Sequence, residues 1–295
     1  MIREFSNIWT NQDKTTMTQF RDRFFTTYPD CENLSSWDIL FNLLERFDIS
    51  WDEDGNLPTD VLSQHVCRKN FSFAQAGESK YLIITDHKLA KRQDLLLSCL
   101  FHELAHIVFE HTPSQMQFAI DDSQLSVMQR ITQGTLQHVC SAGNEREADL
   151  LTATLLFHPL DDFVTNLWKD PLNARRLSKK FEAPFELVVK MMIAHSYQQV
   201  HFFCVDASSK KFEYSHIPYE DSHRMYLNET RLLNEETALS IALKNRRDAS
   251  FDSGNDNYHF HCEAFFLNNF SKEHVVVLGS KKSDYIQWSR LGKTV

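Results

Sequence analysis

The chain has 295 residues, 42% of them hydrophobic and 12% aromatic, with 23 Phe and a formal net charge of -9. That length and apolar content allow two domains with real cores and a small module between them. The acidic balance excludes a surface built as a whole for nucleic acid, although a local basic patch remains compatible with it. The N-terminal stretch MIREFSNIWTNQDK has no apolar core of a signal peptide, and no apolar run approaches the length of a membrane span. Six cysteines (Cys31, Cys67, Cys99, Cys140, Cys204 and Cys262) are scattered without a C-x-x-C pair. They read as free thiols in a reducing cytoplasm.

Phe20, Phe24 and Tyr28 recur every four residues and suggest a first amphipathic helix. Ser35 or Ser36 then caps a clearer one, Trp37 to Phe47, with Ile39, Leu40, Leu43, Leu44 and Phe47 as its stripe. Asp52 to Asn56 reads as a polar turn, since it lacks the rest of a calcium-loop spacing. Asp60 starts a short helix through Cys67. Phe71 to Thr85 reads as a hairpin turning at Gly77-Glu78-Ser79, with Tyr81 to Ile84 as its second strand. A strand pair beside a site helix is a surface to which an extended peptide can add.

Leu95 to His111 is apolar nearly throughout, so it reads as a buried helix. Within it lies H-E-x-x-H: His102, Glu103 and His106. Residues four apart share a helix face, so both imidazoles aim at one point. A zinc ion can sit there at about 2.0–2.1 Å from each nitrogen. Glu103 projects beside that point, where it can take a proton from a water on the metal. The alternative is a buried helix with two satisfied histidines, but buried polar groups need partners, and a metal serves two imidazoles simply.

A third protein ligand comes from downstream. His111 lies five residues beyond His106, on another face of a continued helix. Glu145 and Asp149, in Asn144-Glu145-Arg146-Glu147-Ala148-Asp149, are four apart and share a face. Glu145 would bind the metal and Asp149 would accept the other ring N–H of a ligating His. Glu147 points away from that face and is the competing ligand. Taken alone, the stretch reads as a solvated acidic first turn; paired with H-E-x-x-H it does not. Residues 112–139, with Leu125, Met128 and Ile131 at helical spacing, read as a covering segment or an ordinary surface helix. Cys140 can supply a fourth, inhibitory thiolate or be a buried structural cysteine; Cys99 reads as core. The helix from Glu145 runs to Pro159.

Asn173 to Phe181, a turn at Glu182-Ala183-Pro184, and a further helix have helix–turn–helix form. Residues 171–200 carry Arg175, Arg176, Lys179, Lys180 and Lys190 against Glu182 and Glu186, a net +3. That island suits either DNA contact or packing. Beyond it, Val200 to Val205 and Phe212 to Tyr214 read as strands, Glu235 to Lys244 as a helix, and Gly254-Asn255 as a turn. Tyr258 to Phe266, Val275 to Leu278 and Tyr285 to Trp288 read as three more strands. His259 and His261 alternate on one strand without a third ligand at useful spacing, so they read as surface or hydrogen-bonded histidines rather than a second metal site.

The ordered set of strand, H-E-L-A-H, E-R-E-A-D and L-L-F-H-P resembles the ImmA/IrrE family of zinc peptidases, best over residues 71–159 and loosely over 1–70. One extra residue precedes Pro159, and the spacing from His106 to Glu145 is longer than the family pattern. The resemblance implies an α+β fold. A zincin-like helical metallopeptidase domain with a small β-sheet would span residues 1–165. A helix–turn–helix segment would span 166–197, and a GAF/PAS-like antiparallel sheet domain 198–295. It implies a zinc endopeptidase with His102, His106 and Glu145 as ligands, Glu103 as base and Asp149 behind a ligand. The substrate class it implies is a helix–turn–helix transcriptional repressor, cut under DNA damage or phage stress. DNA or a small molecule would act as effector at the C-terminal module, with no role for a membrane. The oxyanion donor would come from Tyr81, His138, His195 or Tyr197. Two rivals stand beside it: a DNA-binding regulator with a structural or vestigial zinc, and a broad housekeeping protease.

Overall fold

The structure, a computed structural model, describes residues 9–55, 57, 62–67, 79–111, 115–116, 138–139, 142–169, 172–196, 200–216, 237–255, 258–269 and 272–281. The fold is α+β. Two compact units divide the chain. The first comprises Thr15–His158 and Phe181–Pro184; the second comprises Pro159–Lys180 and Phe185–Val295, with described residues 9–14.

Helix α1 (Asn11–Thr27) is followed by α2 (Ser36–Arg46), whose Ser35 cap accepts the backbone N–H of Asp38. Such a cap satisfies one of the open N–H groups of the first turn, worth about 1 kcal/mol. Ile39, Leu40, Leu43 and Leu44 bury the apolar stripe. Three strands follow: β1 (Ile49–Gly55), β2 (Ser63–Cys67) and β3 (Tyr81–Asp86). They form one sheet in the order β1-β3-β2, with β1 parallel and β2 antiparallel to the central β3.

Two local expectations fail here. Asp52 to Gly55 is not a turn but the end of β1, paired as far as Gly55 with Asp86. The glycine is required by contact: a Cβ on Gly55 would lie 2.5 Å from Ile84 Cγ2 and 2.8 Å from the Thr85 carbonyl oxygen. The segment ending at Cys67 is not a helix either. Ser63 to Cys67 pairs with Thr85 to Tyr81, and pairing to a buried strand overrides the weak local preference. The first strand and turn of the expected hairpin, residues 71–78, lie outside the described residues.

Helix α3 (Gln93–Val108) buries thirteen of its sixteen residues. It packs against β2 and β3 and against α4 (Ala142–Leu156). Between them the described residues are the turn at 109–111 and the short pair β4 (Gln115–Met116) and β5 (His138–Val139). The covering segment read around Leu125, Met128 and Ile131 lies outside the described residues.

The second unit begins with α5 (Leu160–Lys169), α6 (Ala174–Phe181) and α7 (Phe185–His195). Glu182, at φ 47°, makes the turn between α6 and α7. The helix–turn–helix shape is therefore present, but ten of the eleven residues of α7 are buried. A helix that reads base edges needs an open face. The basic island is also engaged within its unit. Arg175 Nη2 donates to Asp248 Oδ1 at 2.8 Å and to the Phe266 carbonyl at 2.7 Å. Arg176 donates to the Asn166 carbonyl, Lys180 pairs with Asp162, and Lys190 stands over the Trp9 ring.

The unit continues in β6 (His201–Asp206), β7 (Phe212–His216), helix α8 (Ala238–Asn245), β8 (Ala249–Asn255), β9 (Tyr258–Asn269) and β10 (Lys272–Lys281). The strands form one antiparallel sheet in the order β7-β6-β10-β9-β8. Two strands, a helix and three strands is the order expected, but the members differ. Ala249–Asn255 is a strand that the sequence does not announce, and Tyr285 to Trp288 lies outside the described residues. Alternation sends Val275 and Val277 toward Ala238, Leu239 and Ala242 of α8. On the opposite face Phe265 meets Phe185 of α7, ring centroids 5.1 Å apart. Val276 and Leu278 are buried as well. Among the described residues no helix is long and apolar enough to cross a membrane.

Candidate metal centre

Helix α3 aims His102 and His106 at one point, and the first turn of α4 brings Glu145 to it. His102 Nε2 lies 3.2 Å from His106 Nε2 and 3.3 Å from Glu145 Oε2. His106 Nε2 lies 3.8 Å from Glu145 Oε1. Donors bound tetrahedrally at about 2.0–2.1 Å stand roughly 3.3–3.4 Å apart, so the three groups fit one ion. These three can hold a metal ion, their donor atoms all lying within 4.8 Å of one another. His102 and His106 are buried, while the Glu145 side chain is 32% exposed, which opens the site on that side.

The other ring nitrogens are also held. His102 Nδ1 is 3.1 Å from Asp149 Oδ1. With each Nδ1 given to a neighbour, the two Nε2 lone pairs face each other and a carboxylate, an arrangement that needs a cation or a proton between them. Burial disfavours the His102 imidazolium, but Asp149 and Glu145 outweigh it and raise its pKa. His106 goes the other way: burial and the neighbouring His102 charge push it down to about 3, so it stays neutral and able to bind a metal. Glu145 is lowered, since its hydrogen bond with His102 overcomes burial.

Glu103 sits on the same helix turn and touches strand β2. Ser63 Oγ donates to Glu103 Oε1 at 2.7 Å, and His65 Nδ1 lies 2.7 Å from Oε2. All three residues are buried. Burial alone would raise the Glu103 carboxyl, but the bond and charge of His65 hold it well below the usual carboxylate range. The His65 ring also stacks on His106, centroids 5.4 Å apart. Ser63 and His65 are absent from the sequence reading. Two residues apart, they share a face only on a strand, and residues 60–67 read as a helix. The alternation S-x-H is the signal that was there to find.

Glu147 reaches His111 rather than the metal point, Oε2 lying 3.1 Å from His111 Nε2. His111 in turn contacts His106 Nδ1 through its own Nδ1 at 3.0 Å. Cys140 lies outside the described residues, as does Tyr197. Cys99 is buried, and its thiol is pushed up to about 11 by that burial. His195 belongs to the second unit and packs on Phe163. His138 pairs through its backbone with Met116, and the Tyr81 ring carries Lys80 over its face.

No family model and no curated protein matches the chain. Among solved structures, a Mycobacterium tuberculosis transcriptional regulator superposes with a TM-score of 0.55 at 14% sequence identity. The match covers 92% of this chain and 78% of that one. At that identity the likeness concerns the fold alone.

Proposed function

We propose that this protein is a cytoplasmic zinc endopeptidase of ImmA/IrrE type, cutting a helix–turn–helix transcriptional repressor at one or a few sites and so releasing a stress response. The observation that carries the reading is the convergence of His102, His106 and Glu145 with a buried carboxylate, Glu103, on the same helix turn. Two imidazoles and a carboxylate are a zinc donor set, and three protein donors leave a coordination position open, as catalytic rather than structural centres do. Zinc held there supplies Lewis-acid polarisation of the scissile carbonyl and a water of lowered pKa.

The chain's own groups do the rest. Glu103 accepts the proton of the attacking water and returns it to the leaving amine. Ser63 and His65 take one acceptor site on each of its oxygens, and a carboxylate has about four, so capacity for water remains. Their hydrogen bonds keep Glu103 ionised and fix its plane. Asp149 holds the His102 ring by its Nδ1. The C-terminal sheet module gates the site in response to nucleic acid or a small molecule.

A second reading is a transcriptional regulator whose metal is structural. The solved neighbour's description as a transcriptional regulator favours it. Against it, a structural site has no use for a base, and the buried carboxylate of Glu103, held well below the usual range, supports one. The full chain, loaded with one equivalent of zinc, is incubated with a panel of helix–turn–helix repressors and with casein, and new N-termini are read by mass spectrometry. The expected result is discrete cuts in a repressor, silence on casein, and a loss of about a thousandfold in Glu103→Gln. Cuts that persist unchanged in Glu103→Gln overturn the hydrolytic role, and general digestion of casein replaces it with a broad protease.

A further inference from the structure

Helix α3 does not simply run out after His106. Phe109 N–H still bonds the Ala105 carbonyl, but Glu110 turns left-handed, at φ 52°. Glu110 N–H then bonds the Ile107 carbonyl at 3.1 Å, and His111 N–H bonds the His106 carbonyl at 2.9 Å. These are the two bonds of a Schellman cap, in which the chain folds back over the last turn. The residue after the left-handed position is thereby set against the residue five before it. Here those residues are His111 and His106. A continuing helix would have sent His111 to a different face.

The hydrogen-bond chain has one consistent proton assignment. With His106 Nε2 toward the metal point, His106 Nδ1 carries the ring hydrogen and donates it to His111 Nδ1 at 3.0 Å. The His111 proton then lies on Nε2 and is donated to Glu147 Oε2 at 3.1 Å. The His111 side chain is 7% exposed and that of Glu147 is 55% exposed, so the chain runs from the buried ligand to the surface. We propose that His111 and Glu147 are positioning residues that orient His106 as a metal ligand, the counterpart of what Asp149 does for His102. One helix turn of α4 thus serves the whole centre: Glu145 at the metal, Asp149 behind one imidazole, and Glu147 behind the other through His111.

This rests on the metal-centre reading, and zinc itself is the probe. Zinc affinity of the full chain is measured by competition with a chromophoric chelator, with far-UV circular dichroism and melting of the metal-free protein as folding controls. His111→Leu is expected to weaken zinc binding by about 10–100-fold, the usual cost of losing an outer partner of a ligand. His111→Gln recovers most of it, because its amide oxygen can accept from His106 while its N–H donates to Glu147. Glu147→Ala gives a smaller loss, and combined with His111→Leu it adds nothing. Zinc binding by His111→Leu within about twofold of wild type overturns the proposal, as does a full additional loss in the double variant. Should His111→Leu fail to fold, the Gln and Glu147→Ala variants decide. Failure of the underlying centre looks different: the wild type would bind no stoichiometric zinc, or Glu145→Gln would bind it as well as wild type.

Discussion

Helices α3 and α7 are both buried along almost their whole length, and each carries ionisable groups into the interior. Their surroundings differ. On α3, His102, Glu103 and His106 meet five further polar side chains, drawn from β2, α4 and the cap after α3. On α7, Lys190 stands over the Trp9 ring and His195 packs on Phe163, with its Nε2 buried and without a hydrogen-bond partner. Burial of a titratable group is thus no sign of chemistry by itself. Convergence of several such groups from separate elements on one point is.

The comparison breaks most visibly on metal removal. Zinc at about a thousand times its dissociation constant stabilises a folded site by roughly 4 kcal/mol. Chelation should therefore lower the melting transition of the first unit by on the order of 10 °C in calorimetry. His195→Leu in α7 should leave that zinc-dependent shift intact. A zinc-independent melting curve would make α3 no different from α7.

Acid sharpens the contrast next. Burial and the Lys14 charge push His195 down to about 4, so it is neutral in the folded second unit. An unfolded His binds its proton near pH 6.5, so as pH falls from there toward 4 the unfolded state takes up protons that the folded state refuses. Stability then declines by on the order of 2–3 kcal/mol across that window. His195→Leu should flatten the acid limb in urea titrations followed by tryptophan fluorescence. An unchanged limb would mean that His195 does not set it.

The smallest effect separates orientation from packing beside Glu103. His65→Phe keeps a ring against His106 but removes the donor to Glu103, whereas His65→Asn puts an amide N–H close to the position of Nδ1. Hydrolysis should fall about tenfold in kcat for Phe, with KM and zinc content unchanged, and recover in Asn. Equal kcat values in both variants would assign His65 to packing alone.

What was legible in advance follows from physical range. H-E-x-x-H and the Glu145/Asp149 pair are i, i+4 patterns on regular helices, where periodicity is reliable. The C-terminal order of two strands, a helix and further strands also shows in alternating apolar residues. Periodicity fails where the backbone leaves its regular course. His111 escapes helical periodicity because a left-handed residue at Glu110 reverses the chain. Ser63 and His65 were missed because pairing with β3, a non-local event, makes residues 63–67 a strand. Ala249–Asn255 was overlooked because its Ser, Asp and Asn reflect an edge position rather than a loop. The basic island reads equally as DNA contact or packing because the partner of Arg175, Asp248, is remote in sequence.

One consequence follows from the position of α4. The acids that α4 brings to the centre, Glu145, Glu147 and Asp149, sit 39 or more residues beyond His106 in the chain. A bound ion therefore acts as a clip closing a long excursion, and tying off a loop of that length removes several kcal/mol of chain freedom. Metal loading would then favour the docking of α4 on α3. A nick anywhere in the intervening stretch would loosen the grip on the ion without touching a ligand.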